Sequence, residues 1–290
     1  MPPNAYSTLM DFEEIVKCLV CRSCGNQSLV SGLTGVSCPH CLLNYKYVEG
    51  KVFVDEPQGI DAKKLPKSLK GSADDKNALR AESRSYLRNV LNTIKFESAL
   101  DVGTGRGHYI SELGSDKKVL TLDYLPYDDV LVVANIEKGL PICETSFDVI
   151  ILSHTLEHIF DTKALISDCF RILKPRGSLV GVIPFLTKVH QAPFDFHRLT
   201  DFALKRHFEE VGFINIEVSP LNSVVETISL HLNSSYKFLS KEMSVFQKVV
   251  FKSLIKTWET TSRSLQRGEI RSDFTLGYGF HCKKVLFTGK

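Results

Sequence analysis

Apolar and polar positions divide the chain into zones. From residue 75 onward, short apolar runs alternate with amphipathic stretches. The runs cover residues 98–102, 118–122, 130–134, 147–152, 178–183 and 213–218. Runs this short, bounded by turn residues and rich in Val, Ile and Leu, predict strands buried on both faces. Between them, residues 77–94 place Leu79, Tyr86, Leu87, Val90 and Leu91 at helical spacing, and residues 162–173 and 200–211 also read as helices. Thr200 is suited to cap the last of these. Such alternation predicts an α/β domain with a mostly parallel sheet.

The ends of the chain differ from this core. Residues 12–55 hold short β-like runs, such as 45–54, and predict a small domain of their own. Residues 56–74 are polar and basic, with Pro57, Gly59, Pro66 and Gly71, and read as a linker. The large domain then spans 75–290. Within it, residues 222–267 form a helical insertion, and 274–287 read as a strand pair or one bent strand. Residues 241–258 set Val245, Phe246, Val249, Val250, Leu254 and Ile255 beside Lys248, Lys252 and Lys256. A helix packed on the domain, or a lid over a substrate, accounts for this pattern. A basic helix lying on a membrane surface is the alternative.

Composition narrows the class only a little. The 290 residues carry a formal net charge of +3, too small to argue for nucleic acid by itself. No apolar run is long enough to span a bilayer, and residues 1–11 lack a signal-peptide pattern, so a cytoplasmic location is the default. Five of the eight cysteines fall between Cys18 and Cys41; Cys143, Cys169 and Cys282 lie in apolar surroundings and are expected to be buried.

Cys21-x2-Cys24 and Cys38-x2-Cys41 are separated by thirteen residues. Two such pairs can set four thiolates around a structural zinc ion. Cys18-x2-Cys21 is also a permitted first pair, although Gly25 after Cys24 suits a knuckle turn. A closed four-cysteine site stabilises a small domain and leaves no position for substrate. The segment resembles the zinc-ribbon modules of the Trm112 type that precede some methyltransferase domains, and 45–54 fits that resemblance.

Residues 99–108 run from an apolar strand end through Asp101 into Gly103, Gly105 and Gly107. Glycines let the backbone turn through positive φ and approach a ligand closely. A dinucleotide loop needs G-x-G-x-x-G, and His108 occupies the place of the third glycine. The pattern Asp-x-Gly-x-Gly-x-Gly resembles the S-adenosylmethionine loop of class I methyltransferases. Asp123 ends the next strand, where a carboxylate accepts hydrogen bonds from both ribose hydroxyls. The resemblance continues through 134–141, through 146–158 with its Phe-Asp-apolar strand, and through Leu173-Lys-Pro-Arg-Gly177. It covers roughly residues 76–220. It implies a Rossmann-like, doubly wound, mostly parallel seven-stranded sheet. It also implies cofactor contacts by Asp101, Gly103, Thr104, Gly105, Gly107, Asp123, Tyr124, Asn135, Ile136, Ser153 and His154, with Asn135 and Ile136 flanking the adenine. Asp101 either fixes the loop or meets the cofactor's ammonium group.

The loop after the fifth strand is dense in polar groups: His190, Asp195, His197 and Arg198. Loops at this end of a parallel sheet line the ligand crevice. They resemble a methyltransferase subgroup associated with surface-glycan biosynthesis, which marks all four as substrate residues; Asp195 and Arg198 have a structural ion pair as their alternative role. His154, His158 and His190 are the candidate bases, because imidazole titrates near neutrality. The absence of an Asn-Pro-Pro-aromatic step after the fourth strand argues against the exocyclic-amine methylases of DNA. The expected activity is methyl transfer from S-adenosylmethionine to an oxygen or nitrogen of a small-molecule or glycan acceptor. Alternatives are an RNA or protein methyltransferase gripping its substrate through the ribbon and Lys63, Lys64, Lys67 and Lys70, or a non-catalytic cofactor-binding scaffold.

Overall fold

The structure is a computed structural model, and it describes residues 8–32, 35–57, 78–105, 113, 116–262 and 274–285. Gly107, the four linker lysines and residues 263–267 lie outside the described residues.

Five strands form the heart of the sheet: β5 (Ser98–Val102), β6 (Lys118–Asp123), β7 (Val132–Val133), β8 (Phe147–Ser153) and β9 (Leu173–Pro184). They pair in parallel in the order β7-β6-β5-β8-β9. Antiparallel β11 (Gly277–Lys284) pairs with β9, and β10 (Phe213–Pro220) closes that edge. Side chains alternate faces along each strand. In β8, Val149 and Ile151 enter one apolar core with Leu79, Leu87 and Leu91 of α2 (Ala78–Thr93). Ile150 and Leu152 enter the other, with Leu165, Ile166 and Cys169 of α3 (Thr162–Ile172) and Leu204 and Phe208 of α4 (Asp201–Val211). Both faces are therefore covered, which is what continuous apolar strands require. The Thr200 side chain caps α4 through the Ala203 N–H, and Gly212, at φ 104°, ends it.

The expected seven-stranded sheet is one part of an eleven-stranded one. Four N-terminal strands, β1 (Val30–Gly32), β2 (Gly35–Ser37), β3 (Asn44–Val48) and β4 (Lys51–Phe53), form an antiparallel meander. Its last strand, β4, pairs in parallel with β7. The reason is an open edge: β7 would otherwise leave a row of unpaired backbone groups. Packing continues across the junction. Ile15 and Val16 of α1 (Phe12–Cys18), with Leu19, Cys21, Val36, Cys38 and Tyr45, share a core with Leu120, Leu122 and Ile150. Ile15 and Leu19 are fully buried, so truncating either to alanine costs about 2–5 kcal/mol.

Between β10 and β11 run α5 (Val224–Leu239) and α6 (Val245–Thr261). Tyr236 packs on Phe251, and the Trp258 indole N–H donates to Ser229 at 2.9 Å. Ile255 of α6 is buried, while Val245, Phe246, Val249 and Leu254 face outward. No helix among the described residues is long and apolar enough to cross a membrane.

Candidate functional site

The parallel strands all end at one edge of the sheet, and the sequence-predicted residues gather in the turns that follow. After β5, Gly103 and Gly105 adopt φ 75° and 58°. A Cβ on Gly103 would also sit 2.6 Å from the Thr155 hydroxyl, so only glycine fits there. Thr155 itself donates to the Val102 carbonyl at 2.8 Å. Asp101 is fully buried, and its carbonyl accepts from the Thr104 hydroxyl at 3.0 Å.

Asp123 joins the first two strand tips. One carboxylate oxygen accepts from the Gly105 N–H and the other from the Leu125 N–H, each at 2.9 Å. Burial pushes this carboxyl up, and those backbone N–H groups oppose the shift. A carboxylate has about four lone-pair positions, so the Gly105 and Leu125 bonds leave room for ribose hydroxyls. Tyr124 follows at the strand tip. After β7, the Asn135 side chain caps a short 3-10 turn over Ile136–Lys138 by accepting from the Glu137 N–H. Ile136 is buried beside it.

The four-cysteine segment braces this loop from below. Arg22 donates to the carbonyls of Lys138 at 2.7 Å and Gly139 at 2.5 Å, and pairs with Asp55 at 2.8 Å. Asp55 in turn accepts from the Asn135 N–H at 2.9 Å. Burial opposes ionisation of Asp55, but the Asn135 N–H, Arg22 and Lys138 outweigh it and hold its carboxyl below the usual range. Sequence reading missed Arg22 and Asp55; neither belongs to a motif.

Cys21, Cys24, Cys38 and Cys41 place their sulfurs within 4.8 Å of one another. The Cys21–Cys41 and Cys24–Cys38 separations are 3.5 Å. Zinc–sulfur bonds of about 2.3 Å set tetrahedral sulfurs about 3.8 Å apart, so the residues fit a zinc ion. Each pair sits on the same turn. The N–H groups of Gly25 and Leu42 donate to the carbonyls of Cys21 and Cys38, and both donor residues have positive φ. Burial opposes thiolate formation at Cys38, but the N–H groups of Cys41 and His40 outweigh it and lower that thiol to about 6. Cys18 lies outside this group. Its carbonyl accepts from Cys143, and burial pushes its thiol up to about 11. Cys143, Cys169 and Cys282 are buried.

Beyond β8 comes a cluster around Glu157, a residue that sequence reading passed over. His154 has φ 56°, a conformation rare for a non-glycine residue and often found at functional sites. Ser153 precedes it at the strand end. Leu156–His158 is a 3-10 turn that buries Glu157 completely. His154, His158 and His190 all approach this carboxylate, at 3.6, 3.7 and 3.8 Å. Burial opposes ionisation of Glu157, but His154 and His158 outweigh it and lower its carboxyl. Burial also lowers His190, against the pull of Glu157 and Asp195. Asp195 pairs with Arg198 at 2.6 Å and accepts from the His190 N–H at 2.8 Å. His197 is set apart from this group, with its ring nitrogen 3.0 Å from the Phe160 carbonyl. The adjacent Glu-His pair was the available signal for Glu157.

Residues 100–181 match the family model described as a methyltransferase domain. The match places a methyltransferase domain in this segment. A curated protein of Mycolicibacterium smegmatis, named a probable S-adenosylmethionine-dependent methyltransferase, is 28% identical over 132 residues. The match covers 41% of this chain and 49% of that protein, so the chain spans about half the length of the curated relative it matches. Among solved structures, a Haemonchus contortus phosphoethanolamine N-methyltransferase 2 is 15% identical, with 70% of this chain and 52% of that chain covered and a TM-score of 0.44. An S-adenosylmethionine-dependent methyltransferase from Archaeoglobus fulgidus is 17% identical, covering 70% and 95%, with a TM-score of 0.44. A chain of the complex that contains the Haloferax volcanii Trm112 methyltransferase activator is 14% identical, covering 75% and 97%, with a TM-score of 0.46. Likeness at this level assigns no substrate.

Proposed function

We infer that the protein transfers the methyl group of S-adenosylmethionine to an oxygen or nitrogen of a small-molecule or glycan acceptor. The observation that carries this reading is the lock between Gly105 and Asp123 at the tips of β5 and β6. It holds a glycine cradle and a hydroxyl-accepting carboxylate side by side, as a nucleoside with a charged tail requires. Asn135 and Ile136 flank the adenine, Ser153 and His154 face the sulfonium end, and Asp101, Thr104 and Tyr124 complete the cofactor wall. When bound, the cofactor supplies an electrophilic methyl group.

The remaining work falls to this chain's residues. The loop from His190 to Arg198 aligns the acceptor, with Asp195 and Arg198 fixing the loop. One of the histidines beside Glu157 takes the proton that an attacking hydroxyl must lose. Residues 12–55 form a zinc-ribbon module, 56–74 a linker and 75–290 the methyltransferase domain; the role of the ribbon is to brace the adenine loop through Arg22. The test is mass spectrometry of candidate acceptors incubated with methyl-labelled cofactor, with Asp123→Ala as the control. Label transfer by the native protein and its loss in the variant are expected. Equal transfer by both would overturn the cofactor assignment.

A further inference from the structure

Three histidines turn a ring nitrogen toward one buried carboxylate. Neither oxygen of the Glu157 carboxylate receives a hydrogen bond among the described residues. Around Oε1 stand His154 Nδ1, His158 Nε2 and His190 Nε2, at 3.6, 3.7 and 3.8 Å, all beyond hydrogen-bond length. The other nitrogen of each ring has its own neighbour.

His158 Nδ1 lies against the Phe194 carbonyl. A carbonyl only accepts, so Nδ1 holds the hydrogen and Nε2 is bare. Ser83 gives its one hydroxyl hydrogen to the Leu79 carbonyl at 2.6 Å. It must therefore accept from His154 Nε2, 3.0 Å away, and Nδ1 is the nitrogen turned to Glu157. His190 Nδ1 lies 3.2 Å from Asp195 Oδ2 and 3.4 Å from Arg198 Nη2. Arg198 only donates and Asp195 only accepts, so these two contacts permit either tautomer of His190. The Glu157 carboxylate and His158 Nε2 are thus buried side by side, with no hydrogen bond to either among the described residues. Such an arrangement is costly unless a cation lies between the groups.

We propose that Glu157, His158 and His190 bind a divalent transition-metal ion beside the cofactor site. Their ligand atoms lie within 4.8 Å of one another, and His154 stands outside that set. Metal bonds of about 2.0–2.2 Å put tetrahedral ligands roughly 3.3–3.6 Å apart, so the Glu157 contacts need to shorten only slightly. Two imidazoles and a carboxylate suit zinc, iron(II) or manganese(II). A set of three protein ligands leaves a position open, as catalytic sites do and the four-cysteine site does not. The outer contacts also fit: the Phe194 carbonyl orients His158, and Asp195, itself held by Arg198, orients His190.

The use of the ion rests on the methyltransferase reading; its binding does not. An acceptor hydroxyl at the open position becomes easier to deprotonate. Its proton passes to His154 Nδ1, the O–CH3 bond forms, the S–CH3 bond breaks, and the sulfonium leaves as a thioether.

The test is metal binding by the full chain with its four-cysteine site loaded with zinc. Manganese(II) is titrated in and followed by electron paramagnetic resonance, with metal content measured by elemental mass spectrometry. The native protein takes up one further ion, displaced by added zinc. Glu157→Gln and His190→Gln weaken uptake at least about tenfold, and Asp195→Asn weakens it by about tenfold through His190. Cys38→Ser loses the other metal and keeps this one. Uptake of no ion beyond the four-cysteine zinc by the native protein, or a further ion that survives Glu157→Gln and His190→Gln together, overturns the proposal. Binding of S-adenosylmethionine is measured on the same samples, so loss of the cofactor reading would be seen separately.

Discussion

Arg22 and Asp55 pair at 2.8 Å across the seam between the four-cysteine segment and the loop after β7. Arg22 sits between two of the clustered cysteines in sequence, and Asp55 holds the Asn135 N–H. The four-cysteine segment and the proposed adenine loop are therefore mechanically one unit. Arg22→Ala removes four hydrogen bonds from this seam. Weakening of S-adenosylmethionine binding by about five- to tenfold is expected, corresponding to roughly 1–1.5 kcal/mol, as calorimetry would measure. Unchanged affinity would mean that the seam is merely structural.

Gly103 offers a sharper perturbation. Gly103→Ala adds a Cβ 2.6 Å from the Thr155 hydroxyl at a φ of 75°. Strain and overlap together predict a loss of about 2 kcal/mol or more in stability, and at least tenfold in cofactor affinity. Pairing it with Thr155→Ser removes one of the clashing methyl contacts and should restore part of the stability in thermal unfolding. No recovery in the double variant would show that the methyl overlap does not set the cost.

Metal removal should be felt in the large domain as well as in the small one. Cys21 and Cys38 are buried in the core that also contains Leu120 and Ile150. Chelation, or Cys38→Ser, is expected to lower the melting temperature by several degrees and to loosen the Asn135–Gly139 backbone in hydrogen exchange. Loss of zinc without either change would separate the segment from the cofactor site.

Asp195 gives the acid side of the stability profile. Burial opposes its ionisation, but Arg198 and the His190 N–H outweigh it and hold its carboxyl at about 2. An unfolded aspartate titrates near about 3.9. Because the folded value is the lower one, its contribution is present above about pH 4 and is lost as pH falls toward 2. Asp195→Asn should therefore lower stability at neutral pH and flatten the acid limb of the denaturation curve. A native-like acid limb in the variant would contradict this assignment.

The parts of this molecule legible in sequence are those fixed by local rules. Gly103 and Gly105 announced a positive-φ turn, Thr200 its helix cap, and the spacing of Cys21, Cys24, Cys38 and Cys41 their convergence. What was not legible depends on pairing between distant residues. Val132–Val133 is too short a strand to name its partner, so its union with β4 came only from the fold. Glu157 sits in a single 3-10 turn, and its importance comes from histidines reaching it from two other positions. Arg22 and Asp55 belong to no local pattern; only the seam brings them together.

The central claim is that the turns at Gly103–Gly105 and Asp123 hold S-adenosylmethionine. Its most direct test is calorimetric titration of that cofactor into the zinc-loaded chain, alongside Asp123→Ala with its fold checked by circular dichroism. The account predicts saturable binding with one cofactor per chain, weakened at least about tenfold in the variant. No binding by the native protein, or equal binding by a folded Asp123→Ala, would contradict it.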